Sequence, residues 1–251
     1  MPKVAIIAAL EREVHALVKH WNRVPREHQG RKFTFFERDQ AVVVCGGIGV
    51  GSARRAAEAA ITLYHPVLVQ SVGFAGALDS SLRVGNILTP SLVIDARDGS
   101  RTQLDSGGGT LVTFMAVAAP DQKAKLAQAY GARAVDMEAA AVAAAARAHG
   151  LAFGVTKVIS DELDFEMPQI SRFIGADGRF KSARFIGFVS LRPWLWQRVA
   201  LLARNSNRAA RALAAQLEHF STDLNRSTNS SAARPSTAIA AVNGLPAEGR
   251  K

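Results

Sequence analysis

One cysteine, Cys45, stands in 251 residues. It excludes an intrachain disulfide and any multi-cysteine metal site. The six histidines are scattered without ligand spacing, so neither a metal nor an organic cofactor is expected. Aromatic residues make up 7% of the chain, and no zinc-finger spacing or aromatic RNA-binding signature occurs. Acids are short, with 21 Asp and Glu against 31 Lys and Arg and a net charge of +10. That balance favours anionic partners. Without a nucleic-acid motif it reads as a surface property, and no nucleic acid is expected as a partner. Long apolar runs are missing too. The first, Val4 to Leu10, is seven residues, too short to span a membrane and poor as a signal peptide. The protein is therefore expected in the cytoplasm.

Short apolar runs are plentiful. "KVAIIAAL", "FTFFER", "AVVVCGGIGVG", "VLVQSVGFAGAL", "NILTPSLVIDA", "LVTFMAVAA" and "AFGVTKVISDELD" read as strands. "ARRAAEAAITLYH", with Ser52 as candidate N-cap, "DQKAKLAQAYG" and an alanine-rich run read as helices. Apolar strands alternating with helices imply a mostly parallel sheet covered on both faces. The fold expected is a single α/β domain over residues 1–220, a mixed twisted sheet flanked by helices. "RPWLWQRVALLARNSNRAARALAAQLEHF" is a long amphipathic helix with Pro193 near its start. Residues 221–251 are polar and without hydrophobic period, and a disordered C-terminal tail is expected there.

The alanine helix poses the functional question. "AVDMEAAAVAAAARAHG" opens with Asp136 and Glu138 around Met137. An acid in a first helical turn can simply face the positive end of the macrodipole. Other strand ends nevertheless carry similar signals, at the place where α/β sheets build their sites. Glu11 and Glu13 follow the first strand, Gly73 to Gly76 form a glycine-rich turn, and Ser160-Asp161 closes the last strand. Each acid has a plain alternative. Asp161 could cap a helix, and Glu13 could be a solvated first-turn acid, as Glu11 is expected to be. "CGGIGVG" is not a dinucleotide fingerprint, because no acidic residue ends a second strand about 20 residues on.

The segments "IIAALEREV", "GGIGVGSA", "VGFAGALDSSLRVGNIL", "VDMEAAAVAAAA" and "VTKVISDELD" together resemble the nucleoside phosphorylase and nucleosidase superfamily. The resemblance runs from about Lys3 to Asp164 and is greatest to the methylthioadenosine/S-adenosylhomocysteine nucleosidases. "RPWLWQRVALLARNSNRAARAL" looks most like the hopanoid-associated phosphorylases. The resemblance implies that Glu138 accepts hydrogen bonds from ribose hydroxyls and that Met137 packs on the sugar. It implies that Glu13 orients or deprotonates the attacking water, and that Asp161 protonates purine N7 as the base leaves. The chemistry suits these groups. A carboxylate near the sugar stabilises the positive charge that develops there, and an acid at N7 needs burial or neighbouring carboxylates to hold its proton. Backbone near Val117 and Ala118, with a ring from Phe173 or Phe165, would form the adenine pocket.

The sequence also departs from the pattern. Bacterial purine nucleoside phosphorylases place a serine and an arginine around the glycine turn, where this chain has Ser71 and Phe74 next to Gly73. Their arginine near the first strand falls at Glu13, which would repel a phosphate dianion. Water is therefore the favoured nucleophile. Phosphate stays a candidate co-substrate if Arg12, Arg54 or Arg55 rebuilds an anion site. Phe74 replaces a small polar residue of the nucleosidases and reshapes the sugar or water pocket.

"FIGFVSLRPWLWQRVALL" is either the core-facing side of a terminal helix or a surface for a membrane or a lipid-tailed substrate. Trp194 and Trp196 flanked by Arg192 and Arg198 suit an interfacial helix. The reading is an enzyme that releases adenine from a 5′-substituted adenosine, with adenosylhopane as preferred substrate and peripheral contact at the inner face of the membrane. The alternatives are a methylthioadenosine/S-adenosylhomocysteine nucleosidase and, from another class, a non-catalytic nucleoside-binding protein. A homo-oligomer is expected from the resemblance.

Overall fold

The run VAIIA forms β1 (Val4–Ala8), buried throughout, as an apolar central strand of a covered sheet must be. The structure, a computed structural model, describes residues 4–168, 170–175 and 177–232, with side chains as far as residue 218. After β1 come α1 (Glu11–Val18), β2 (Asn22–His28), β3 (Arg31–Arg38), β4 (Ala41–Cys45), α2 (Val50–Tyr64), β5 (Leu68–Ala77) and β6 (Ile87–Leu88). Then follow β7 (Leu92–Asp95), β8 (Arg101–Gln103), β9 (Thr110–Thr113), α3 (Pro120–Tyr130), β10 (Ala134–Asp136) and α4 (Ala139–Ala148). The described residues close with β11 (Ala152–Asp161), α5 (Ser182–Ser190) and α6 (Trp196–Ala232).

The strands make one mixed sheet in the order β2-β3-β4-β1-β5-β10-β9-β7-β8, with β11 also paired to β5 and β6 to β11. β1 lies parallel between β4 and β5, and β9 lies parallel between β7 and β10. β11 runs parallel to β5. The antiparallel pairs β2–β3, β3–β4, β7–β8 and β10–β5 make the sheet less parallel than the sequence implies. β2 has no buried residue. At a sheet edge Pro25 needs no ladder partner for a missing N–H.

Alanines let α2 and α4 pack closely on one face. Ala53, Ala56, Ala57 and Ala60 share a core with Ala141, Ala145 and Ala146, closed by Phe35 and Tyr64. On the other face Leu213 and Leu217 of α6 pack with Val14 and Leu17 of α1. The terminal segment is split by this arrangement. α6 is core-facing around Leu213, whereas α5 buries nothing and Ile186, Leu191, Trp194 and Trp196 are exposed. Of the stretch "FIGFVSLRPWLWQRVALL", Ile186, Leu191, Trp194 and Trp196 thus face outward, while Phe185, Phe188, Val199 and Leu202 are half-buried.

Two boundaries also differ from expectation. α2 begins at Val50 with Gly49 as N-cap, so Ser52 lies inside the first turn, where its hydroxyl donates to Asp177 O at 3.1 Å. α6 remains helical past residue 221 to Ala232, since extending a formed helix orders only one residue per added hydrogen bond. The rest of the expected tail, 233–251, lies outside the described residues.

Candidate active site

The carboxyl ends of β1, β5, β10 and β11 meet at a cavity of about 130 Å³. Its lining includes Glu13, Phe74, Val117, Ala118, Met137, Glu138 and Asp161, all singled out in the sequence. Gly73 stands behind this wall. Its φ is +136°, and a Cβ there would come within 2.9 Å of Glu13 Oε2. Phe173 is not in the lining. Its ring packs at 5.3 Å on Phe185 and 5.2 Å on Phe188, because the apolar residues of α5 need a buried partner. Phe165 does not line the cavity either, whereas Met167, Ile170 and Ile174 from the same stretch do.

Glu13 is the third residue of α1 and turns back over the helix start. Its Oε2 accepts the N–H groups of Ala9 and Leu10, both at 3.2 Å. It is thus a first-turn acid, but a buried one. Burial raises its pKa, and the two N–H groups, Lys157 and Arg12 only partly oppose that. Glu11 is solvated, and pairs with Arg23 at 3.3 Å.

Asp136 and Glu138 divide the two meanings of the acidic motif between them. Asp136 Oδ2 accepts the N–H of Ala139 at 2.8 Å, and Oδ1 accepts the Thr113 hydroxyl at 2.6 Å. It is the cap of the alanine helix. Glu138 faces the cavity. Its Oε1 accepts the Gly49 N–H at 2.9 Å and its Oε2 the Met137 N–H at 3.3 Å. Burial, with Asp136 and Glu13 nearby, pushes the Glu138 carboxyl up to about 7 against the pull of Lys157.

Asp161 ends β11 at a register shift between Ile159 and Asp161, an irregularity of the kind that re-aims a side chain. Its Oδ1 accepts the Ser160 hydroxyl at 2.7 Å, and its Oδ2 accepts Lys123 Nζ at 2.5 Å. Lys123 is buried, lines the cavity, and also donates to Glu162 O at 2.5 Å. Asp161 is thus buried, one of the two conditions expected for an acid at N7, while the group beside it is Lys123 and not a second carboxylate.

Two lysines were thus missed in the sequence. Lys157 had a signal, since a charge inside the apolar strand "VTKVIS" must be paired if buried. Lys123 had none, because it looks like Lys125 on the same amphipathic helix. Of the arginines able to rebuild a phosphate site, Arg12 lines the cavity, while Arg54 and Arg55 do not. Among the described residues no cluster of three His, Cys, Asp or Glu could hold a metal ion, and no helix is long and apolar enough to cross a membrane.

Known proteins share parts of this sequence and its fold. The family model described as the phosphorylase superfamily matches residues 3–126 and 108–175. A 5′-methylthioadenosine/S-adenosylhomocysteine nucleosidase of Chromohalobacter salexigens is 33% identical over 96 residues, 37% of this chain and 41% of the relative. The chain spans about two fifths of the length of the curated relatives it matches. The crystal structure of such a nucleosidase from Colwellia psychrerythraea, in complex with adenine, is 25% identical with a TM-score of 0.56, over 65% of this chain and 84% of that one. The 5′-methylthioadenosine nucleosidase of Arabidopsis thaliana shares the fold, with a TM-score of 0.68 at 17% identity over 90% of this chain and 97% of that one.

Proposed function

The chain belongs to the phosphorylase superfamily, and from that premise we propose that it is a nucleosidase that hydrolyses the N-ribosidic bond of a 5′-substituted adenosine. The observation that carries this reading is the convergence of Glu13, Glu138 and Asp161 on one cavity. A desolvated Glu13 is a stronger base than a solvated one, suited to take a proton from water attacking C1′. Glu138 holds the ribose hydroxyls and, with Glu13, offsets the positive charge that grows on the sugar. Met137 packs on the sugar, Val117 and Ala118 flank the base, and Asp161 serves N7. Water is the nucleophile, because Glu13 occupies the ground a phosphate would need and Arg12 is the one candidate arginine in the lining. A short 5′-thio substituent, as in the substrates named for the curated relatives, suits the small cavity best.

One observation favours a second substrate. A groove of about 730 Å³ bordered by Phe188, Trp194 and Leu195 meets the cavity at Val117 and Met167. Its wall also carries Asp121, Glu166, Arg172, Arg192 and Arg198, so the path it offers a lipid-tailed adenosine such as adenosylhopane is apolar only along Phe188, Trp194 and Leu195, beside a membrane-facing Trp194 and Trp196.

Adenine release from methylthioadenosine, S-adenosylhomocysteine and adenosylhopane, each with and without phosphate, tests the proposal. Phosphate-independent release supports the Glu13–water mechanism, and the order of the three rates assigns the 5′ substituent. Release only with phosphate overturns hydrolysis. Binding without release would make the chain a nucleoside-binding protein.

A further inference from the structure

The Asp161 site presents a chemical difficulty. Both carboxylate oxygens are engaged as acceptors, Oδ2 by Lys123 Nζ at 2.5 Å and Oδ1 by the Ser160 hydroxyl at 2.7 Å. The contact with Lys123 is a buried ion pair, so a second proton-bearing group stands directly against the carboxylate. A purine leaving from C1′ must still be protonated, since the bond's electron pair departs with it.

We infer that Lys123 supplies that proton through Asp161. The inference rests on the nucleosidase reading above. Lys123 is a positioning residue, because it acts through the carboxylate and not on the purine directly. As the C1′–N9 bond breaks, its electron pair passes to the purine. Lys123 Nζ releases a proton to Asp161 Oδ2, and Asp161 passes it on to N7. Water adds its oxygen to C1′ and gives its proton to Glu13. The products are neutral purine and the ribose hydroxyl, with Lys123 left as the free amine and Glu13 protonated. Solvent returns the Glu13 proton to Lys123, and the charges are restored.

The surroundings are built for a tight pair. Lys123 Nζ also donates to Glu162 O, which holds the ammonium against Asp161. Gly76 sits directly beneath. A Cβ there would lie 2.9 Å from Asp161 Oδ2 and 3.3 Å from Lys123 Cε. The backbone of β5 comes this close only because residue 76 has no side chain. Lys123 is buried and borders the cavity, so the pair stands within reach of the base that would leave there.

The test compares the wild type with Lys123→Arg, Lys123→Ala and Gly76→Ala in full-length protein, by kcat, KM and thermal unfolding. Arginine keeps the ion pair but gives up no proton at working pH. Lys123→Arg is expected to be somewhat less stable than the wild type, because the larger guanidinium must fit a buried site beside Gly76, yet to fold, with KM within about threefold and kcat down about 100-fold, the range that general acid catalysis supplies. Gly76→Ala, which keeps both charges but displaces them, is expected to lower kcat in the same sense. Methylammonium should raise the kcat of Lys123→Ala about tenfold or more, whereas methylguanidinium, a cation that keeps its proton, should not. Full activity in Lys123→Arg, or equal rescue by the two cations, overturns proton supply and leaves Lys123 a plain counter-ion. If Lys123→Ala does not fold, the Lys123→Arg and Gly76→Ala kcat values decide alone. A wild type that releases no adenine from any adenosine removes the nucleosidase reading and this inference with it. A wild type that turns over, with both variants unaffected, removes only the inference.

Discussion

Lys157 Nζ lies 2.8 Å from Asp136 Oδ2, an ion contact without hydrogen-bond geometry, and both groups are buried. Burial alone would lower the lysine's pKa, but Asp136, Glu138 and Glu13 surround it and raise it instead. One ammonium therefore serves three carboxylates, all in the cavity wall, of which Asp136 also caps α4. Lys157→Met removes the shared counter-charge. The expected cost is about 3–5 kcal/mol of stability, as for other buried pairs broken on one side. The Glu138 carboxyl should also titrate still higher than about 7. Urea unfolding and the pH dependence of turnover check the two effects, and a variant as stable as the wild type would sink the first.

Gly73 tests how firmly the water-activating group must be held. Its φ of +136° suits glycine alone, and its missing Cβ leaves room for Glu13 Oε2. Gly73→Ala should displace the carboxylate from the Ala9 and Leu10 N–H groups. A shift approaching 1 Å at a reacting group costs about 100-fold in rate. The expected result is a kcat loss of that order with substrate affinity little changed. Unchanged kcat would argue that Glu13 is not the base.

Most of this site was legible because its residues sit where an apolar strand stops. β1, β5, β10 and β11 announce themselves by buried runs, and Glu13, Glu138 and Asp161 are acids at or just beyond their ends. The doubt over "DME" resolved into a cap and a cavity acid because adjacent residues at a strand-to-helix junction point to different neighbours. Other features had no local signal. β2 is polar on both sides and forms only as an edge to β3. Phe173 went to the aromatic cluster of α5 instead of the cavity. Lys123 acquires its meaning from Asp161, 38 positions along the chain.

Glu138 makes stability depend on pH. Its carboxyl moves from an ordinary 4.5 to about 7 in the folded protein, mainly through burial. The folded state thus holds the proton more tightly than the unfolded chain. This contribution is fully present below 4.5, declines as pH rises to about 7, and is absent above that. Its size is about 3 kcal/mol at most, less where water in the cavity reaches the side chain. Glu138→Gln carries no such titration. Urea midpoints at acid and alkaline pH should differ less in Glu138→Gln than in the wild type. Equal differences would show that the carboxyl titrates normally.

Trp194 and Trp196 separate the two substrate readings. They are 71% and 55% exposed, so replacing them with alanine removes little buried surface. Trp196 Nε1 also donates to Val189 O, so thermal stability should fall by about 1–2 kcal/mol at Trp196 and less at Trp194, leaving the fold in place. A lipid-tailed adenosine would lay its tail in the groove that Trp194 borders, while a methylthio group would end inside the cavity. The double variant should therefore lose about tenfold in kcat/KM on adenosylhopane in vesicles, with methylthioadenosine changed about twofold at most. Arg192 and Arg198 stand beside the tryptophans, so vesicles with anionic headgroups should enhance the wild-type rate and high salt should abolish the gain. Equal losses on both substrates would mean that the groove supports the fold of the site, not the tail of a substrate. The short 5′-thio nucleosides would then be the better assignment, because nothing outside the cavity would be needed to recognise them.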